Sequence, residues 1–297
     1  ITASRTSLSA TRFMNNSVGL VLNNIGNTGI QWETTHRLRV GLDLTEYNNI
    51  LAFSLHFFKS YTNNLLTLKS LPEITGEGYY WSNDGSLDNI GLDFGVRFKL
   101  LNRKNWKWEL GANATAYKNK ITALPDGDYT TTIYGANVLT SVGHAAGVFY
   151  GYETDGVYAT QQEAEEAGLT LVSTTGEVTP FAAGDMKFVD HVQDGIINEK
   201  DMVVIGNPNP DVYGNLYSNL SYKRLSLNMN FNYSFGNDIY NYQRSQLESG
   251  SQFFNQTTAL NRRWIAEGHH TDIPKATFGD PMGNSRFSDR WIEDGSY

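Results

Sequence analysis

The sequence contains no cysteine, no long apolar run and no concentration of basic residues. Without cysteine, disulfide scaffolds, thiolate zinc sites and thiol nucleophiles are excluded. A membrane-spanning helix needs roughly 20 consecutive apolar residues, and no stretch approaches that length. The formal net charge is −8, and the scattered Lys and Arg cannot build the counterion-displacing surface that a nucleic-acid partner requires. The opening Ile-Thr-Ala-Ser-Arg lacks the basic start, apolar core and cleavage site of a signal peptide, so the expectation is a cytoplasmic protein or a true start further upstream. Signatures of catalysis are missing too. His269 and His270 are adjacent while the other histidines are dispersed, and no nucleophile elbow, Walker loop or dinucleotide fingerprint occurs, so no enzyme is expected.

What the 297 residues do contain is alternation. From Leu225 to Phe235, Leu225, Leu227, Met229, Phe231, Tyr233 and Phe235 interleave with Ser226, Asn228, Asn230, Asn232 and Ser234, the period-two pattern of a strand with two different faces. The pattern recurs at Leu38 to Leu44, Leu51 to Phe57, Leu92 to Leu100 and Trp106 to Ala114. A mean hydropathy of −0.41 ordinarily suggests solubility. A membrane strand, however, averages a lipid-facing apolar set with a lumen-facing polar one and stays low in mean hydropathy.

Connection lengths separate a membrane barrel from a soluble sandwich. Short turns occur at Tyr47-Asn48-Asn49, Asn102-Arg103-Lys104-Asn105 and Lys223-Arg224, whereas long polar connections cover about 69–88, 123–210 and 238–286. Short turns on one rim and long loops on the other are the signature of a transmembrane β-barrel. The predicted fold class is therefore all-β, an antiparallel transmembrane barrel segment with long extracellular loops. Residues 1–297 read as one partial barrel domain of about eight visible strands, cut at both ends, because an open sheet edge cannot face lipid. Trp106, Trp108, Tyr47 and Tyr222 sit beside the short turns, where an interfacial aromatic girdle belongs.

Two short helices are predicted within the loops. Thr160 with Glu163 makes a capping box ahead of Gln161–Ala167, and Gly168 ends it; a second helix is expected over Asn261–Glu267 before Gly268. One segment carries metal-like spacing. In DHVQDGIINEKD, Asp190, Asp194 and Asp201 occupy the first, fifth and twelfth places of a twelve-residue loop. Gly195 stands at the tight sixth place, the Ile196 carbonyl at the seventh and Asn198 at the ninth. These oxygen donors suit calcium, the one candidate cofactor, although Val192 at the third place cannot ligate and Asp201 replaces the usual Glu. The alternative is a structural Asp-Gly turn.

Several stretches together resemble a known family. GIQWETTHRLRVGLDL from Gly29 to Leu44, with the NNILAFSLHFFKSYTNNLL that follows, is similar to a barrel segment of the SusC/RagA-like, TonB-dependent outer-membrane transporters. GVFYGYETDGVY from Gly147 to Tyr158, the run from Gly184 to Lys223 with its GNPNP, and RFSDRWIEDGSY at the end follow the same family order. The resemblance implies the C-terminal part of a large barrel of about 22 strands in the Bacteroidetes outer membrane. The plug, signal peptide and final strands are expected outside these residues. It further implies import of oligosaccharide or peptide substrate, a SusD-like surface lipoprotein partner, outer-membrane lipid around the wall, and TonB acting through the plug.

On this reading Arg37, Arg39, Asp43, Arg97, Lys107 and Glu109 line the lumen, and Tyr129, Tyr134, Phe149, Tyr150 and Tyr152 are loop aromatics able to stack on sugars, contact a lid or simply pack the loops. No substrate-binding set is assigned. Two other functions compete: a complete eight-stranded barrel acting as adhesin or structural protein, and a soluble β-rich calcium-dependent binding module.

Overall fold

The computed structural model describes residues 4–12, 18–46, 49–71, 74, 79–124, 127–172 and 176–297. A hairpin of β1 (Ser7–Arg12) and β2 (Val18–Asn24) comes first. The wall begins with β3 (Thr34–Glu46), β4 (Leu51–Ser70), β5 (Tyr79–Asn102) and β6 (Trp106–Ala123). An excursion then carries β7 (Tyr129–Ile133), β8 (Ala136–Thr140), β9 (Val148–Gly151), β10 (Thr154–Val157), α1 (Gln161–Ala167), β11 (Thr170–Val172), β12 (Val178–Pro180), β13 (Met186–Phe188), β14 (Ile196–Ile197) and β15 (Val203–Gly206). The chain returns to the wall through β16 (Val212–Tyr222) and β17 (Leu225–Phe235), followed by β18 (Asp238–Tyr240), α2 (Tyr242–Leu247) and β19 (Ile292–Asp294).

The wall is one antiparallel sheet in the order β17-β16-β6-β5-β4-β3. The three short turns fall on one rim, as expected, although Tyr47 and Asn48 lie outside the described residues. Register converts each strand's alternation into rows across the sheet. Phe57, Leu92, Ala116, Val212 and Phe235 share one row on the outer face, and Leu55, Phe94, Ala114, Gly214 and Tyr233 the next. This face is an apolar expanse open to the surroundings, including Leu42, Leu92, Leu227 and Phe231. A soluble monomer does not leave such an area uncovered, whereas lipid stabilises it.

The band has defined edges. Toward the short turns, Trp106 and Tyr222 pack with centroids 4.3 Å apart, and the Lys223 Nζ lies 5.2 Å from the Tyr222 ring centre. Toward the other rim, the outward positions turn charged in the row Lys59-Ile90-Lys118. The twelve residue-to-residue steps from Trp106 to Lys118 rise about 40 Å along the strand, or about 28 Å along the membrane normal at ~45° tilt. That span suits an outer-membrane apolar band of about 25 Å.

β4, β5 and β6 continue past this boundary, with lengths of 20, 24 and 18 residues. The expected loop over 69–88 is corrected accordingly: residues 79–88 belong to β5, paired with β4. Tyr79 to Asp88, YYWSNDGSLD, carries no apolar–polar alternation to betray a strand; Ser82 is buried there, and the Asn83 side chain bonds to Gln31 and Asn64. The stretches 123–210 and 238–286 are folded, with buried clusters. Beside β17, Ser234 and Tyr297 exchange backbone hydrogen bonds of 3.0 and 2.9 Å, so the chain rejoins the sheet there.

α1 forms as expected: the Thr160 hydroxyl accepts from Glu163 N at 3.2 Å, and Gly168 closes the helix at φ 64°. Glu163 reaches one residue further back than a capping box requires and accepts from Ala159 N at 2.9 Å. The helix expected over Asn261–Glu267 is not formed. A 3₁₀ helix runs Thr258–Arg262 instead, because tertiary bonds pull Trp264 away: its backbone N donates to Ile273 O at 2.9 Å and its Nε1 to Ala159 O at 3.0 Å.

Candidate functional site

Two polar regions are candidate sites: the inner face of the wall and the loop layer beside it. On the inner face, polar side chains bond to one another from strand to strand. The Arg39 guanidinium pairs with Asp93 at 2.9 Å and donates to His56 Nδ1 at 3.0 Å, while His56 Nε2 lies 3.2 Å from Asp43. A guanidinium can only donate, so Nδ1 accepts and the His56 proton sits on Nε2, directed at Asp43. Thr115 donates to Asp93 at 2.9 Å and carries the chain onto β6. Amides continue it, with Asn113 donating to Asn215 at 2.8 Å and Asn215 to Asn230 at 2.9 Å.

Glycines let large rings lie flat on this face. A Cβ on Gly41 would collide with the His56 ring, one on Gly91 with Phe58, and one on Gly111 with Tyr217, each its cross-strand neighbour. The Arg37 guanidinium in turn stacks 4.5 Å from the Phe58 ring centre. The face is thus a polar, close-packed lining whose side chains hold one another in place.

The loop layer is locked by a buried polar knot. Asp185 is 1% exposed and accepts from Asn284 Nδ2 at 2.9 Å, Lys275 Nζ at 3.1 Å and Ala182 N at 3.0 Å. Asn284 Oδ1 accepts from Met186 N at 2.8 Å. Asp185 belongs to the first long excursion, Lys275 and Asn284 to the second, so the two fold as one body. Around the knot, Tyr158, Phe181, Met186, Phe188, Ile197 and Met282 form a shared apolar cluster. The Arg286 guanidinium lies 4.8 Å from both the Tyr152 and Phe188 ring centres. Burial, with Asp185 and Glu163 nearby, pushes the Tyr158 phenol up to about 12.

The Asp190–Asp201 loop closes on itself. Asp190 accepts from Gln193 N at 2.6 Å and Gly195 N at 2.8 Å, Asp194 from Ile196 N at 3.0 Å, and Asp201 from Val192 N at 3.3 Å and Asn198 N at 2.9 Å. The Ile196 carbonyl accepts from Asn198 Nδ2 at 3.2 Å. Burial opposes ionisation of Asp190, yet the N–H groups of Gly195 and Gln193 hold its carboxyl below the usual carboxylate range. Every expected ligand is therefore present in one turn but engaged internally, and among the described residues no group of three or more His, Asp or Glu is arranged to hold a metal. As placed, this donor set does not fit a calcium cage.

No protein-family model matches the sequence. TonB-dependent receptor P3 of Formosa agariphila is 32% identical over 286 residues, covering 94% of this chain and 27% of that protein. TonB-dependent receptor SusC of Bacteroides thetaiotaomicron is 27% identical over 218 residues, covering 72% of this chain and 20% of that protein. In a solved structure of the RagAB peptide transporter, a chain 22% identical to this one superposes with a TM-score of 0.70, covering 99% of this chain and 31% of that one. This is a SusC-like barrel segment. It spans about a quarter of the length of the curated relatives it matches.

The place of the SusC-like segment is the cell outer membrane, as a multi-pass β-barrel wall. Trp106 and Tyr222 stand at the band's lower edge as expected, and Trp108 Nε1 is tied to Ser218 at 3.0 Å. Tyr47 lies outside the described residues. Of the expected lumen residues, Arg37, Arg39 and Asp43 enter the contacts above, and Arg97, Lys107 and Glu109 share their face. Among the loop aromatics, Phe149 is buried against Phe287 and Tyr152 packs on Phe188, which fixes both as packing residues. Tyr129 and Tyr150 line an open trough of about 660 Å³ with Asp128 and His144, and Tyr134 stays exposed beside Tyr242.

Proposed function

We propose that the SusC-like segment is the wall and outer vestibule of a TonB-dependent importer of oligosaccharide or peptide, which a SusD-like lipoprotein covers and TonB energises through a plug outside these residues. The observation that carries this reading is the pairing of a lipid-facing band with a pre-ordered polar lining beneath a locked loop layer. The segment has no chemistry to perform: it binds, orients and encloses. The relatives' names, TonB-dependent receptors and a peptide transporter, agree with that role. Both outer strands of the wall sheet, β3 and β17, present backbone that lipid cannot satisfy, which disfavours a self-contained small barrel. Deleting the full-length protein is expected to abolish uptake of its cargo, and removing TonB to do the same. Uptake that persists without TonB would reject the reading.

The Asp190–Asp201 loop is read, on its internal bonds, as a turn closed by its own carboxylates. Chelation followed by calcium addition is expected to leave thermal stability and protease resistance of the full-length protein unchanged. A calcium-dependent gain that Asp190→Asn removes would place the ion in this loop.

A further inference from the structure

A cavity of about 320 Å³ opens in the second excursion, between α2, the 249–254 stretch and the 285–291 stretch. That volume lies at the lower end of the ~300–1,000 Å³ typical of small-ligand sites. Trp291, 1% exposed, lies in its floor, with its Nε1 spent on Arg286 O at 3.0 Å. At its rim stand Gln246, Gln252 and Phe254, whose ring is 68% exposed. Ser249 and Ser251 join them, bonded to each other at 3.1 Å.

The lining separates spent groups from unspent ones. Arg286 is the only charged residue in it, and its guanidinium is committed to Gly283 O at 2.9 Å and Met282 O at 3.1 Å and stacked on two rings. Ser245 is committed to Tyr240 and Tyr242, and Ser285 to Asp280. Among the described residues, the Gln246 and Gln252 side-chain amides have no partner. Each amide offers both a donor and an acceptor, which suits a hydroxyl group and leaves half its capacity unused against a carboxylate or an ammonium. Beside them the Phe254 face presents the negative side of its quadrupole, suited to the slightly positive C–H face of a sugar ring.

From this we propose that the cavity is a binding subsite for a neutral saccharide unit, held by Gln246 and Gln252 and stacked on Phe254. The proposal rests on the import reading and narrows its cargo from oligosaccharide or peptide to neutral glycan.

The test titrates the detergent-solubilised full-length protein with a panel of neutral hexose and pentose oligosaccharides, charged oligosaccharides and short peptides. Neutral members are expected to bind, and the Gln246→Ala/Gln252→Ala double variant to weaken them about tenfold, as loss of two neutral hydrogen bonds implies. Phe254→Ala is expected to weaken them separately. Neutral binding unchanged in these variants, binding confined to peptides or charged glycans, or no binding across the panel would each overturn the subsite. Uptake assayed with and without TonB tests the import reading apart from it: TonB-dependent uptake with unaltered variant binding removes only the subsite, and TonB-independent uptake with variant-sensitive binding removes only the import reading.

Discussion

Phe231→Arg in the full-length protein is expected to destabilise the membrane-inserted barrel by about 2–4 kcal/mol, the cost of a cation at mid-depth on a lipid-facing strand. Phe231 sits at the centre of β17, opposite Leu216, on the outer face. Its neighbour Asn230 faces the other way and bonds to Asn215 at 2.9 Å. Asn230→Arg loses that exposed bond and a long one of 3.4 Å to Asn232, and is expected to cost about 1 kcal/mol. Denaturant titration of both variants in lipid vesicles measures the difference. Equal costs at the two positions would mean that lipid does not cover the outer face.

Asp185→Ala is expected to have the second large effect, about 3 kcal/mol on the loop layer. Removing one member of a buried pair strands the other, at a typical cost of ~3–5 kcal/mol. The low end applies because Lys275 is 28% exposed and recovers some water. Asn284 Nδ2 loses its acceptor as well. Because the wall shares none of these contacts, the damage is expected to stay local. Limited proteolysis should nick the stretches around 155–200 and 265–285 together while the barrel resists. Cleavage of one stretch alone would show that the two excursions are not locked through Asp185.

How much was legible in the sequence depended on how many solvents a segment meets. Leu225 to Phe235 faces lipid on one side and a polar lumen on the other, so its alternation is written plainly and β17 matches it at both ends. Tyr79 to Asp88 lacks that alternation, and its strand is defined only by its pairing with β4. α1 was readable because Thr160 and Gly168 act locally. The segment Asn261–Glu267 has comparable propensity and fails because Trp264 is claimed by Ala159 and Ile273, partners distant in sequence.

The same distinction governs the sites. His56 and Asp93 were assigned faces by alternation, but their junction with Arg39 needed the register of three strands. Asp185, Asn284, Gln246 and Gln252 are not legible in the sequence, because polar residues in a polar loop carry no periodic signal. The Asp190–Asp201 spacing was visible from the start, and what spacing could not reveal is that the backbone N–H groups of the loop already occupy its oxygens.

The most direct test of the barrel wall uses the segment's lack of cysteine, which leaves no background thiol within it; any cysteine elsewhere in the full-length protein is first replaced by serine. Single cysteines placed from Leu225 to Phe235 in the membrane-embedded full-length protein can be probed with a water-soluble, membrane-impermeant thiol reagent. Labelling is expected at 226, 228, 230 and 232 and not at 227, 229, 231 and 233, a period of two set by lumen and lipid; Ser234, buried against Asn237 and Tyr297, is left out of the scan. Labelling at successive positions alike would contradict the two-faced wall on which everything above depends.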